Sequence, residues 1–126
     1  LALPGGMLLN LLTKHAFARA RPSFVDPILT LSSYSFPSGH VAGVTLFYGF
    51  LAAYLVVKIP AWRWRVLLVL TAFFGIALVA LSRIYLGVHF LSDVLAAFAE
   101  STAWLALTLT AVYTLRRGRA LHRDPR

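Results

Sequence analysis

From Gly39 to Val57 the chain runs without a single Asp, Glu, Lys or Arg, and two more apolar segments follow, Val66 to Leu81 and about His89 to Leu115. A helix needs roughly 20 apolar residues to cross a hydrocarbon core. Only helices and closed barrels satisfy their backbone hydrogen bonds there. The expected fold is therefore all-α: a polytopic transmembrane bundle with three full spans and the end of a preceding one. Composition agrees, since 60% of the 126 residues are hydrophobic, against roughly 45–50% in an ordinary soluble domain. The opening stretch, Leu1 to Thr13, is apolar but interrupted by Pro4-Gly5-Gly6 and too short to span. It reads as the second half of a span. With Leu at position 1 and Met7 the only methionine, the chain is expected to be a fragment lacking its N-terminal spans.

Between these segments, Ala20 to Phe36 reads as a loop or short helices at the interface, with Pro22, Pro27 and a serine-rich run, and Ile59 to Arg65 as a compact turn rich in Trp and Arg. Ser38 is expected to cap the first turn of the segment that begins at Gly39. The last span is expected to stop at Arg116-Arg117, dividing the chain into a membrane-embedded domain, 1–115, and a basic cytoplasmic tail, 116–126. Alternate spans run in opposite directions, so the chain around Lys14, Pro37, Ser82 and His89 should meet at one face. The other face holds Lys58, Arg63, Arg65, Arg116, Arg117, Arg119, Arg123 and Arg126. Positive charge marks the cytoplasmic side, which puts the first face outside, periplasmic in a Gram-negative cell.

Three clusters lie at that outer face: Lys14 to Pro22 (K-x6-R-P), Pro37-Ser38-Gly39-His40, and Ser82 to Asp93 (S-R-x5-H-x3-D). Ionisable groups at the ends of apolar segments are costly and usually functional. Phosphoryl transfer needs fixed donors around the equatorial oxygens, a nucleophile in line with the leaving group, and an acid for the departing oxygen. Lys14, Arg21 and Arg83 supply charged donors. Arginine's planar fork suits phosphate. Ser38 and the N–H of Gly39 add donors at a helix N-terminus, where an anion is already favoured. His89 and Asp93 are four residues apart, so the carboxylate can fix the imidazole tautomer and stabilise its positive charge. His89 is the candidate nucleophile, and His40 the candidate general acid.

These clusters resemble the three-part signature of the type-2 phosphatidic acid phosphatase family, membrane lipid phosphatases related to bacterial acid phosphatases and vanadium haloperoxidases. Every signature position is matched, by Lys14, Arg21, Pro22, Pro37, Ser38, Gly39, His40, Ser82, Arg83, His89 and Asp93. The resemblance implies a six-span helical bundle in the whole protein and metal-independent, cofactor-free hydrolysis through a phosphohistidine on His89. It also implies that His40 protonates the leaving group and that Ser82 joins the phosphate cradle. The implied substrate is a lipid phosphate or isoprenoid diphosphate, met at a bacterial inner membrane. The signature reads the phosphate and not the lipid, so phosphatidic acid, phosphatidylglycerol phosphate and an isoprenoid diphosphate stay open, as does oligomeric state.

Other readings are weaker. The twelve Lys and Arg against four Asp and Glu form no stripe with interleaved aromatics, which argues against nucleic acid. With Asp26, Asp93, Glu100 and Asp124 as the acidic residues, and no D-x-D or H-E-x-x-H, a metal hydrolase site is poorly supplied. A phosphotransferase would use the same histidine. A non-catalytic lipid-phosphate binding or transport protein would need neither a nucleophile nor an acid. A haloperoxidase does not fit the hydrophobicity. His15, Arg19, Asp26 and His122 fall outside the signature and read as interface or solvent residues, with substrate contact by Arg19 or Asp26 as the alternative. Glu100, seven residues beyond Asp93, is expected to hydrogen-bond a neighbouring span, with a role in pocket protonation or substrate depth as the alternative. Phe47, Tyr48, Phe50, Tyr54, Phe73 and Phe74 read as lipid-facing or packing residues.

Overall fold

The structure is a computed structural model that describes residues 2–23 and 31–123, with side chains to Ala120. Asp26 and the side chain of His122 lie outside the described residues. Four helices follow in order: α1 (Ala2–Phe17), α2 (Gly39–Val56), α3 (Trp62–Tyr85) and α4 (Leu91–Arg123). No strand is present among the described residues. Helices α2, α3 and α4 are long and apolar enough to cross a membrane.

Helix α2 is the centre of the bundle and packs against the other three. Its buried face is Val41, Ala42, Thr45 and Leu46, and Val41 and Ala42 join Val94 and Ala97 of α4 in the core. Small residues let the backbones approach, as is usual between membrane helices. A Cβ on Gly49 would sit 2.6 Å from the Leu105 side chain, and Ser101 Oγ donates to the Ala42 carbonyl at 3.4 Å. Helix α3 is more peripheral and buries only Ile76 among its residues. The six aromatic residues noted from the sequence are all exposed on the surface of the described bundle.

Two expectations about helix ends are corrected. Pro4-Gly5-Gly6 does not interrupt α1. Pro4 stands in the first turn, where its missing N–H has no intrahelical partner to lose. The glycines are contact points instead: a Cβ on Gly5 would lie 2.5 Å from the Trp104 ring, and one on Gly6 2.6 Å from Leu46. The Trp104 indole N–H donates to the Ala2 carbonyl at 2.9 Å. At the other end, α4 does not stop at Arg116 but continues to Arg123. Arg116, Arg117 and Arg119 are good helix formers, so the helix outlasts its apolar part.

The loops around the bundle's signature end have defined starts and stops. Helix α1 closes on Ala18, whose φ of 45° is left-handed, with its N–H on the Lys14 carbonyl at 3.0 Å. Gly87, with φ 67°, reverses the chain after α3. Glycine adopts that conformation without steric cost. The Phe36-Pro37 peptide is cis. A tilted ring contact of Phe17 with Phe36 (centroids 4.8 Å apart) and an edge contact of His15 with Tyr34 (5.8 Å) fasten the end of α1 to the segment entering α2.

Candidate active site

The helix directions bring the three clusters to one end of the bundle. A cavity of about 310 Å³ there is lined by Lys14, Arg21, Leu31, Ser33, Gly39, His40 and His89. Lys14 sits in the last turn of α1 and donates from Nζ to the carbonyls of Pro37 (2.7 Å) and Tyr34 (2.9 Å). Arg21 spreads its guanidinium across the linker and the start of α4. Its Nε donates to the Ser33 carbonyl (2.7 Å) and Nη1 to the Val88 carbonyl (2.7 Å), while Nη2 reaches Ser33 Oγ (3.0 Å). Nη1 also stands 3.3 Å from His89 Nε2.

His89 is 3% exposed, and its two ring nitrogens face different surroundings. Nε2 meets Arg21 at the cavity, whereas Nδ1 lies 3.5 Å from Asp93 Oδ2. That division favours the proton on Nδ1, toward the carboxylate, and a lone pair on Nε2, toward the cavity. Burial lowers the His89 pKa from 6.5 to about 4; the Arg21 charge acts in the same direction and Asp93 opposes it. The imidazole is thus neutral at pH 7, the form in which nitrogen is a nucleophile.

Asp93 is fully buried and does several jobs at the head of α4. Oδ2 accepts the Phe90 N–H at 2.9 Å, and the Phe90 carbonyl accepts the Asp93 N–H at 3.0 Å. The first bond is the acidic half of a capping box, the second is a backbone turn, and the helix dipole favours an acid at that position. Oδ1 accepts Arg19 Nη1 at 2.9 Å. The Asp93 backbone carbonyl takes the Ser38 N–H at 3.1 Å, which couples the start of α2 to the start of α4.

The remaining signature residues are placed unevenly. His40 is exposed in the first turn of α2 and borders the cavity with Gly39. Ser38 occupies the N-cap position but makes no side-chain capping bond, which corrects the expected cap. Among the described residues its buried hydroxyl meets no hydrogen-bond partner, and buried polar atoms are seldom left so. Ser82 and Arg83 stand at the end of α3, outside the group lining the cavity. Ser82 Oγ donates to the Val79 carbonyl at 2.7 Å and accepts Arg83 Nε at 3.2 Å. Among the described residues no three His, Asp or Glu side chains converge as a metal site; the groups that converge are cations.

The profile of the PAP2 superfamily matches residues 1–117. The chain belongs to this superfamily. Within it, the chain is 40% identical over 93 residues to phosphatidylglycerophosphatase B of Bacillus subtilis, a match over 73% of this chain and 45% of that protein. It is 36% identical over 95 residues to the undecaprenyl-diphosphatase of Sulfolobus acidocaldarius, over 71% of this chain and 42% of the relative. The crystal structure of a transmembrane PAP2-type phosphatidylglycerolphosphate phosphatase from Bacillus subtilis superposes with a TM-score of 0.76 at 34% identity, over 91% of this chain and 56% of that one. The chain therefore spans about half the length of the relatives it matches.

Two features of this PAP2 site differ in how visible they are in sequence. Glu100 is half-buried and bonds a neighbouring helix as expected: Thr13 Oγ1 donates to Oε1 at 2.7 Å and Asn10 Nδ2 to Oε2 at 3.3 Å. That triad ties α1 to α4 directly beneath Lys14. Arg19, read from sequence as an interface residue, is instead the ion-pair partner of Asp93. It stands in an irregular loop with no periodicity to mark it, and its nearness to Arg21 is the only signal the sequence carries.

Proposed function

We propose that this chain forms the phosphoryl-transfer core of an integral membrane phosphatase that hydrolyses a lipid phosphate or isoprenoid diphosphate. The carrying observation is the orientation of His89, with Nδ1 toward Asp93 and Nε2 toward a cavity lined by Lys14, Arg21 and His40. The named activities of the two relatives, on phosphatidylglycerophosphate and on undecaprenyl diphosphate, support this substrate range.

The chemistry follows from the placement. A phosphate held by Lys14, Arg21 and the N–H of Gly39 has its phosphorus opposite Nε2. The Nε2 lone pair forms the P–N bond as the P–O bond to the lipid breaks, and His40 gives its proton to the departing oxygen. Asp93 stabilises the positive imidazole ring that results. Water then attacks the phosphohistidine, passing a proton to His40 as the P–N bond breaks and inorganic phosphate leaves. Arg83 and the hydroxyls of Ser38 and Ser82 complete the cradle once substrate charge draws them in. Developing charge is met by fixed cations, so no metal is required for this sequence of steps.

The cavity opens on the extracytoplasmic face in this reading, because the cations Lys58, Arg63, Arg65, Arg116, Arg117 and Arg119 gather at the opposite end. The chain has no cysteine, so a membrane-impermeant thiol reagent on whole cells should label Ser33→Cys and spare Arg117→Cys. The function itself is tested by phosphate release from a panel of lipid phosphates, with EDTA present, by the full-length protein in detergent. Wild type should release phosphate and His89→Ala should not. A well-folded wild type that releases none would overturn the hydrolase reading.

A further inference from the structure

We propose that Arg19 is a positioning residue for the nucleophile, acting on His89 through Asp93; the inference rests on the phosphohistidine reading above. Asp93 is fully buried, and a buried carboxylate needs a paired charge to stay ionised and fixed. Among the described residues its ion-pair partners are Arg19 and His89. Arg19 Nη1 takes Oδ1 at 2.9 Å, leaving Oδ2 for the Phe90 N–H and for the face of His89 Nδ1. The arginine thus decides which carboxylate oxygen looks at the histidine and in which plane.

Arg19 is itself held at several points. Nη1 also donates to Ser92 Oγ at 2.7 Å, the guanidinium lies 4.2 Å over the Phe90 ring, and the Arg19 carbonyl accepts the Ser35 N–H at 2.8 Å. Ala18, with its left-handed φ, turns the chain off α1 so that residue 19 faces the head of α4. Arg21, two residues on, borders the cavity, and Arg19 does not. The two arginines divide the work: Arg21 meets the phosphate, and Arg19 meets the group that orients the attacking ring.

The test is steady-state phosphate release from phosphatidic acid in mixed micelles by the full-length protein, comparing wild type, Arg19→Gln and Arg19→Lys. Loss of an outer partner of a metal-bound imidazole commonly costs about 10–100-fold, and a fall on that scale is expected in kcat for Arg19→Gln, where the ring is held by a carboxylate in the same way. KM should stay within about twofold, because no substrate contact is removed. Arg19→Lys, which keeps the charge, should recover to within about tenfold of wild type. An unchanged kcat in Arg19→Gln, or a raised KM with kcat kept, overturns the positioning role while leaving the hydrolase reading intact. If Arg19→Gln loses its thermal transition, Phe90→Leu takes its place. Removing the ring beneath the guanidinium should lower kcat about threefold or more at constant KM, and an unaltered kcat would count against the proposal. Wild type without activity would sink both.

Discussion

Helices α3 and α4 are both long and apolar, and both carry signature residues at the same end of the bundle, yet they are held in different ways. Helix α4 buries Asp93, Val94, Ala97, Ser101 and Leu105, and its head is bonded to the start of α2 and to the loop after α1. Helix α3 buries only Ile76. Its polar signature residues, Ser82 and Arg83, hydrogen-bond within their own helix. Deeper in the bundle, an apolar cleft of about 380 Å³ opens among α2, α3 and α4, lined by residues such as Gly49, Ala53, Ile76 and Phe98. His89 is therefore set by a tied frame of α1, α2 and α4, and α3 contributes charge at the margin of that frame. Substitutions on the two sides should fail differently.

The largest expected effect is at the centre of the tied frame. Asp93→Asn keeps the shape but loses the charge that orients and stabilises His89, and kcat should fall about 10³–10⁴-fold. Single-turnover trapping of the phosphoenzyme would show whether its formation is the step that slows. On the α3 side, Arg83→Gln should cost about 100-fold in kcat, the scale for one lost charge-stabilising donor, while the melting temperature in detergent stays put. A clear fall in the melting temperature of Arg83→Gln would erase the contrast between the helices.

The next effect is structural. Gly6→Leu drives a side chain into Leu46 and Trp104, whose atoms already lie 2.6 to 2.9 Å from an added Cβ, and should destabilise by about 1–3 kcal/mol. Thermal unfolding of the full-length protein measures it.

The pH dependence probes the same frame more gently. His89 has its pKa lowered to about 4, so it is neutral above that value and gains a proton as pH falls through it. The acid limb of kcat/KM should accordingly lie well below pH 6.5. Arg21→Gln removes a repelling charge, which makes protonation easier and should move that limb upward. A limb that stays in place would mean burial alone sets it. The smallest effect is far from the site: a Cβ on Gly118 meets nothing within 4 Å, so Gly118→Ala should stabilise α4 by about 0.5–1 kcal/mol with no change in activity.

The parts of this architecture that were legible in sequence are those with period or spacing. Long apolar segments announced three spans, and the helix directions then placed Lys14, Arg21, Gly39, His40 and His89 at one end. Glu100 was legible because a carboxylate in an apolar helix requires a partner. What was not legible depends on atoms far apart in the chain. Gly5 and Gly6 look like a break until Trp104 and Leu46 are seen against them. Ser38 looks like a cap, but its backbone, and not its hydroxyl, makes the useful bond. Arg19 looks like an interface anchor until Ala18 turns it toward Asp93.

The bond from the Ser38 N–H to the Asp93 carbonyl joins main chain to main chain. It spaces the start of α2, which carries His40, from the head of α4, which His89 precedes, yet no side chain takes part in it. A conventional alanine scan is therefore blind to it: Ser38→Ala and Asp93→Ala both leave that link standing. Only a residue without an amide hydrogen at position 38 would cut it, so the separation between His40 and His89 is written into the backbone and shielded from most mutation.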